Sequence, residues 1–449
     1  MSDSSVIDRL TNETVELLQA LIRNQCVNDG TPESGNEEVS ARLLRDELEG
    51  TGVDLQTYEV APGRTSLIAR WPGTDPSAPA LCLMGHTDVV PVSADGWTHD
   101  PFGGELIDGE VWGRGAVDML NLTASMTVTF RHLINSGKRY AGDIVYFAVA
   151  DEEAGGRLGA GPLVEGEWDA LRCDYVLTEF GGIPLNTPKG SSILVTTAEK
   201  GIGWRRLTVK GSPGHGSMPY GSDNALVKAA EVVRRLTEYA PAPQLDELWA
   251  ARVNALGLPD ELSRKLLDPG RLDEALAELP KELRANAHSC SHTSFSPNVI
   301  SGGVKTNVIP DKVVIEVDIR TLPGETREDV NTHMRAALGD LIDTVDVEVL
   351  QEDPSTASPI GNPLWDALVA SMATPYPAAK VIPSLVTGGT DSRFFRDRGA
   401  IAYGAGLLSP SVDASEFFRR FHGHDERIDI DSLRLTVGLW LEVVERLWD

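Results

Sequence analysis

The sequence predicts an α/β fold: a mixed, largely buried sheet covered by helices and interrupted by a smaller α/β insertion. Three observations lead there. In the first two hundred residues, helical patterns alternate with short β-branched runs, the mark of an α/β layer structure. Near Glu199 the texture changes, and beyond Pro354 the first texture returns. An insertion of about 150 residues within one unit fits that order better than three domains in series.

The elements follow in chain order. Val39, Leu43, Leu44 and Leu48 mark one face of a helix. Strands are expected at Leu55–Val60, Ser66–Trp71, Ala80–Met84, Ile144–Ala150 and Tyr175–Thr178, with Gly, Pro and Asp between them as breakers. Inside the insertion, Gly203–Lys210 reads as a strand, a Gly/Pro-rich turn runs through Gly221, and a helix begins near Asn224. A Leu/Glu/Ala-rich, helical stretch reaches Ala287, followed by a strand at Val313–Ile319, a turn at Pro323–Gly324 and a helix from Arg327. The last helix presents Leu433, Leu441, Val444 and Leu447 on one face. The expected division is 1–198 and 353–449 for the outer unit and 199–352 for the insertion.

Composition narrows the function. The chain has 449 residues, 41% of them hydrophobic, enough to bury large cores. Lys plus Arg number 40 against 67 Asp plus Glu, a net charge of −27. That charge repels phosphate backbones and anionic lipid head groups, so neither nucleic acid nor a membrane surface is expected as a partner. No apolar run approaches the roughly 20 residues of a spanning helix, and Met1 to Leu10 carry no secretion signal. Cys26, Cys82, Cys173 and Cys290 form no C-x-x-C pair and read as reduced core thiols of a cytoplasmic protein. Any metal must then be held by His and carboxylates.

Ligand sites in α/β sheets collect at the carboxyl ends of strands. Four segments put His or acidic residues there: Gly85-His86-Thr87-Asp88, Gly113-Arg114-Gly115 running to Asp118, Asp151-Glu152-Glu153, and Glu179 after Tyr175–Thr178. A fifth, His422-Gly423-His424-Asp425-Glu426, stands near the carboxyl terminus. Each alone has a plain explanation as a loop pair, a turn residue or a helix cap. Together they supply imidazoles and several carboxylates without a thiolate, a set that suits Zn²⁺, Mn²⁺ or Co²⁺.

In order and spacing these segments resemble the M20 co-catalytic metallopeptidases and amidohydrolases. That family includes carboxypeptidase G2-like enzymes, aminoacylase 1, carnosinases, acetylornithine deacetylase and succinyl-diaminopimelate desuccinylase. The resemblance rests on Gly85 to Pro91, Gly113 to Asp118, Asp151 to Gly155 and His422 to Arg427, and it covers nearly the whole chain. It implies a dinuclear-zinc catalytic domain with an inserted lid that usually pairs two subunits. By resemblance His86 and Glu179 hold one metal, Glu153 and His422 the other, and Asp118 bridges them. Asp88 orients His86, and Glu152 is the general base that takes a proton from the attacking water. His424 falls at the variable position of the closing motif, while His99 reads as structural. His132, His288, His292 and His333 read as surface or packing residues.

Three further segments gain meaning from the resemblance. His215, in Gly214-His215-Gly216, matches a lid histidine that polarises the scissile carbonyl, often in the partner subunit's site. Asn307 matches a substrate-binding position, with a plain turn asparagine an equal alternative. Thr387 to Arg393 looks like the Gly-rich loop that receives the substrate's carboxylate, with Gly389 and Thr390 contributing and Arg393 offering a planar fork. The implied activity is hydrolysis of an amide bond next to a free carboxylate, releasing an amino acid from an N-acyl-amino acid or short peptide. A biosynthetic deacylase of diaminopimelate or ornithine derivatives is the competing enzyme, and a two-domain amino-acid-binding module the non-enzyme alternative.

Overall fold

The computed structural model describes residues 4–187, 190–412 and 414–448. Among them a mixed sheet of ten strands has four neighbouring parallel strands at its centre, in the order Ile144–Val149, Leu81–His86, Tyr175–Thr178 and Ile401–Gly404. The unbroken apolar runs of these strands are two interleaved faces. Leu81 and Leu83 join Tyr146, Ala148 and Leu177 in one core, while Cys82 and Met84 join Val145, Phe147 and Val176 in another. Side chains alternate across a strand, so one covered on both faces needs apolar residues at every position.

Helices supply the two covers. Ser4–Arg23, Leu120–Asn135, Pro363–Ala373 and Ile430–Leu447 pack together on the first face, and Ala160–Gly166 with Ser392–Asp397 on the second. The opening helix, which the sequence reading passed over, buries Leu10, Leu17, Leu18 and Leu21. No helix among the described residues is long and apolar enough to cross a membrane.

The second sheet is antiparallel, in the order Ser294–Gly302, Lys312–Thr321, Gly201–Lys210 and Val345–Asp353. Its one-sided burial shows in Lys312–Thr321. Val313, Ile315, Val317 and Ile319 are buried against helices Ala225–Glu238 and Arg327–Leu338, and residues between them are only half-buried. The second helix starts where Thr326 and Asp329 form a reciprocal capping box. The Leu/Glu/Ala-rich stretch is four short helices, Glu247–Ala255, Asp260–Leu266, Leu272–Glu278 and Lys281–Ser291. Pro259 and Pro280 interrupt it, each standing just before a new helix. Glu199 still pairs in the large sheet and Asp353 in the small one, each one residue past the expected joins.

A third, three-stranded sheet of Glu105–Ile107, Glu110–Trp112 and Arg427–Asp429 ties the chain's last segment to its first. This small sheet sets the loops that carry Asp118 and His422.

Candidate metal centre

Three adjacent parallel strands end at one place. His86 closes Leu81–His86, Glu152 and Glu153 follow Ile144–Val149 through Asp151, and Glu179 follows Tyr175–Thr178. Asp118 enters between strand Glu110–Trp112 and helix Leu120–Asn135, and His422 enters from the loop before Arg427–Asp429. Ligand atoms of His86, Glu152 and Glu179 lie within 4.8 Å of one another, as do those of His86, Asp118 and Glu153. Asp118 stands between the imidazoles, with Oδ1 at 3.2 Å from His86 Nε2 and Oδ2 at 3.1 Å from His422 Nε2. Glu179 Oε2 lies 3.6 Å from His86 Nε2, and Glu153 Oε2 lies 3.3 Å from His422 Nε2.

The hydrogen bond on the far side of His86 fixes its tautomer. Nδ1 is 2.9 Å from the backbone carbonyl of Asp88, which can only accept, so Nδ1 carries a proton and Nε2 is the nitrogen that faces the cluster. Asp88 thus orients His86 through its carbonyl, its carboxylate standing 3.6 Å away. That carboxylate instead accepts the N–H groups of Glu152 (3.2 Å) and Glu153 (3.1 Å), fixing the turn that presents both glutamates.

The electrostatics call for cations. Burial pushes the Glu152 carboxyl well above the usual carboxylate range, and the charge of Glu179 adds to it. Burial and Asp118 push Glu153 up to about 7 and Glu179 up to about 8. Asp118 goes the other way: burial alone would raise it, but hydrogen bonds with His422 and His86 hold it far below its ordinary value. Burial alone would lower His86, yet its contacts with Asp118 and Glu179 carry it well above. His422 is raised to about 10 by Asp118 and Glu153. The cluster is a sink for positive charge, and Glu153 Oε1 is buried without a hydrogen-bond partner among the described residues. Imidazole nitrogens, carboxylate oxygens and this orphaned atom fit two divalent cations of the Zn²⁺ class.

A shell of buried groups that the sequence reading left without roles supports the clustered side chains. Glu426 is fully buried, pairs with Arg114 at 2.6 Å and accepts the N–H groups of Val117 (2.7 Å) and Asp118 (3.1 Å). Both residues sit inside quoted motifs, so the signal was present. Asn28 donates to Asp88 at 2.8 Å and to Asp151 at 3.2 Å. Arg64 pairs with Glu37 at 2.7 Å and donates to Asn28 at 3.0 Å. No local motif marks Asn28, Glu37 or Arg64, which meet only through the tertiary fold.

The substrate candidates fall in two other places. His215 and Asn307 share a short ribbon: Gly214–His215 pairs with Val308–Ile309, and the Gly216 N–H donates to the Asn307 carbonyl at 2.8 Å. Both are exposed, and among the described residues neither has a hydrogen bond or ion pair to the cluster. The Ser217 N–H donates to His215 Nδ1 at 3.2 Å, so in the neutral ring the proton sits on Nε2, ready to be donated. Arg393 is buried and stacks over Phe394, donating to the carbonyls of Thr390 (2.6 Å) and Gly155 (2.7 Å). Its Nε is buried without a partner among the described residues, and Gly389 leaves room beside the guanidinium. His424 packs on Gly96, and His99 meets Trp112 edge-on at 4.7 Å.

Known proteins resemble the chain over nearly its whole length. Aminoacylase-1 of Sus scrofa is 27% identical over 410 residues, covering 90% of this chain and 89% of that protein. An M20 family metallo-carboxypeptidase from Sulfolobus solfataricus superposes with a TM-score of 0.76 at 17% identity, covering 97% of this chain and 99% of the other. Human carnosine dipeptidase 1 gives a TM-score of 0.69 at 18% identity, with 98% of each chain covered. These two structural likenesses show the shared fold. The profile of peptidase family M20/M25/M40 matches residues 82–446, which include all of the clustered acidic and histidine side chains, and the chain therefore belongs to that family.

Proposed function

We propose that this protein is a dinuclear metal-dependent hydrolase that cleaves the amide bond of N-acyl-amino acids or short peptides next to a free carboxylate. The observation that carries this reading is Asp118, with one carboxylate oxygen facing His86 and the other facing His422. His86, Glu179 and Asp118 would hold one metal, and His422, Glu153 and Asp118 the other. Bound metals polarise the scissile carbonyl and make water a stronger acid.

The chain's own groups do the rest. Glu152, on the His86 and Glu179 side of the cluster, takes a proton from the attacking water and passes it to the leaving nitrogen. His215 donates a hydrogen bond from Nε2–H to the carbonyl oxygen as negative charge builds there, keeping its proton throughout. Arg393 and the glycine N–H groups up to Gly389 receive the substrate's carboxylate, with Thr390 shaping that loop and Asn307 steadying the acyl side. The 27%-identical aminoacylase-1 favours N-acyl-amino acids as the first substrates to test. Zinc is the first choice of metal, with Co²⁺ or Mn²⁺ able to replace it. A cytoplasmic setting fits the four buried thiols, all unpaired as disulfides.

Chelation is expected to abolish hydrolysis of N-acetyl-methionine, and about two equivalents of Zn²⁺ per chain to restore it. Turnover that survives complete metal removal, checked by elemental analysis, would rule this chemistry out. Running a dipeptide and N-succinyl-diaminopimelate beside it separates the competing deacylase, which wins if only the last is cleaved.

His215 would act in a partner subunit's site. The lid offers a surface for such pairing, since Leu226, Val227, Val299 and Ile300 are exposed along one helix and an edge strand. His215→Ala should lower kcat roughly a hundredfold with metal content unchanged. Mixing refolded His215→Ala and Glu152→Gln chains should restore activity, because a hybrid dimer holds one complete site. No recovery on mixing would place His215 in its own subunit's site or outside catalysis.

A further inference from the structure

We infer that Glu199 is a positioning residue that fastens both connections of the lid to the loop receiving the substrate's carboxylate. The inference rests on the role proposed above for that loop. Glu199 is the last residue of strand Gly190–Glu199, and the lid strand Gly201–Lys210 begins two residues later. On the return path the lid strand ends at Asp353, and Thr356 pairs directly with Glu199 in the large sheet. Val386, the last residue before the Gly-rich loop, pairs with Glu199 from the other side. Three stretches of chain thus meet at one residue.

Its side chain joins them again. Glu199 is 1% exposed, and its Oε1 accepts the Thr356 hydroxyl at 2.9 Å. Oε2 accepts the N–H of Thr390 at 2.9 Å and its hydroxyl at 2.6 Å. Arg396 stands 3.6 Å from Oε2 and donates to the Thr356 hydroxyl at 3.1 Å and the Ser358 hydroxyl at 3.1 Å. A buried carboxylate is kept in place only where donors and a counter-charge satisfy it, and all are present here.

Thr390 is gripped at both ends, its N–H by Glu199 and its carbonyl by Arg393, which also reaches the Gly155 carbonyl beside the Glu152 turn. Its two donors are spent on Glu199, so Thr390 shapes the loop and leaves anion contact to Arg393 and the glycine N–H groups. A change in how the lid sits would move Glu199 and Thr356 together and be felt at Arg393. An apolar filler could pack this joint, but it could not hold the Thr390 N–H in one direction.

The test compares Glu199→Ala, Glu199→Gln, Thr390→Val and the Glu199→Ala/Thr390→Val double variant on an N-acyl-amino acid and on its C-terminal carboxamide. Glu199→Ala is expected to raise KM for the acid about tenfold, the loss of roughly one good hydrogen bond's worth of loop order, with little change for the carboxamide. Gln still accepts from Thr390 and can donate to Thr356, so it should recover most of the loss. The double variant should be no worse than Glu199→Ala. Equal losses on acid and carboxamide, or additive losses in the double variant, would overturn the inference. Hydrogen exchange of the 386–394 segment provides a readout that needs no substrate, with faster exchange expected in Glu199→Ala and unchanged exchange counting against it. If the unaltered enzyme ignores the carboxylate, the substrate reading fails while exchange still decides what Glu199 holds. Should the Ala variant not fold, Gln and Thr390→Val carry both measurements.

Discussion

Glu152→Gln is expected to lower kcat by roughly a hundred- to ten-thousandfold, the range spanned by a positioned general acid–base group. The substitution keeps the shape of the side chain and removes only its ability to take a proton. Metal content should stay as it was, because His86, Asp118, Glu153, Glu179 and His422 still surround the centre. The turn should hold too, since the Glu152 N–H rests on Asp88 at 3.2 Å whatever the side chain. Steady-state kinetics with metal analysis on the same sample checks both halves. Undiminished kcat would remove Glu152 from the mechanism, and loss of metal would make it a ligand, as its closeness to His86 and Glu179 permits.

The largest stability effect is expected from Arg64→Met. Arg64 is 1% exposed and is the counter-charge for Glu37 at 2.7 Å and for Asp151 at 3.8 Å, behind the metal-facing turn. Removing one partner of a buried pair leaves uncompensated charge and costs about 3–5 kcal/mol. The urea midpoint should fall accordingly. The loss should also depend on pH. Burial and the charge of Asp88 push Glu37 from 4.5 up to about 7 despite Arg64. A carboxyl whose folded value lies above its unfolded one makes the folded state bind more protons, so its contribution to stability falls as pH rises through that window. Without Arg64 the window should extend upward, and the variant should be least stable on the alkaline side. A midpoint unchanged from pH 5 to about 8 would show that Arg64 does not hold this network.

Much of this was legible in the sequence for a physical reason. Strands covered on both faces must be apolar throughout, so Ile144–Val149 and Tyr175–Thr178 stand out, and the polar residues just after them are those the fold brings together with His86. The insertion is expected at 199–352 because the texture of the sequence changes near Glu199 and returns beyond Pro354. What was not legible is whatever depends on meeting across the chain. Arg64 and Glu37 carry no motif, and only the fold shows that they brace Asp151. Asp88 shows the same limit at finer scale. Its nearness to His86 could be read, but that its carbonyl faces the ring and its carboxylate the Glu152 turn is a matter of backbone direction.

The three-stranded sheet that joins Glu110–Trp112 to Arg427–Asp429 has a consequence for the protein's biosynthesis. His86 and Glu179 emerge early in synthesis, but His422 can take its place only after the whole lid has been made and the final segment has docked. Closing so long a stretch of chain carries an entropic cost that grows with the length enclosed. Until that pairing forms, Asp118 and Glu153 lack the imidazole that stands 3.1 Å and 3.3 Å from them in the folded protein.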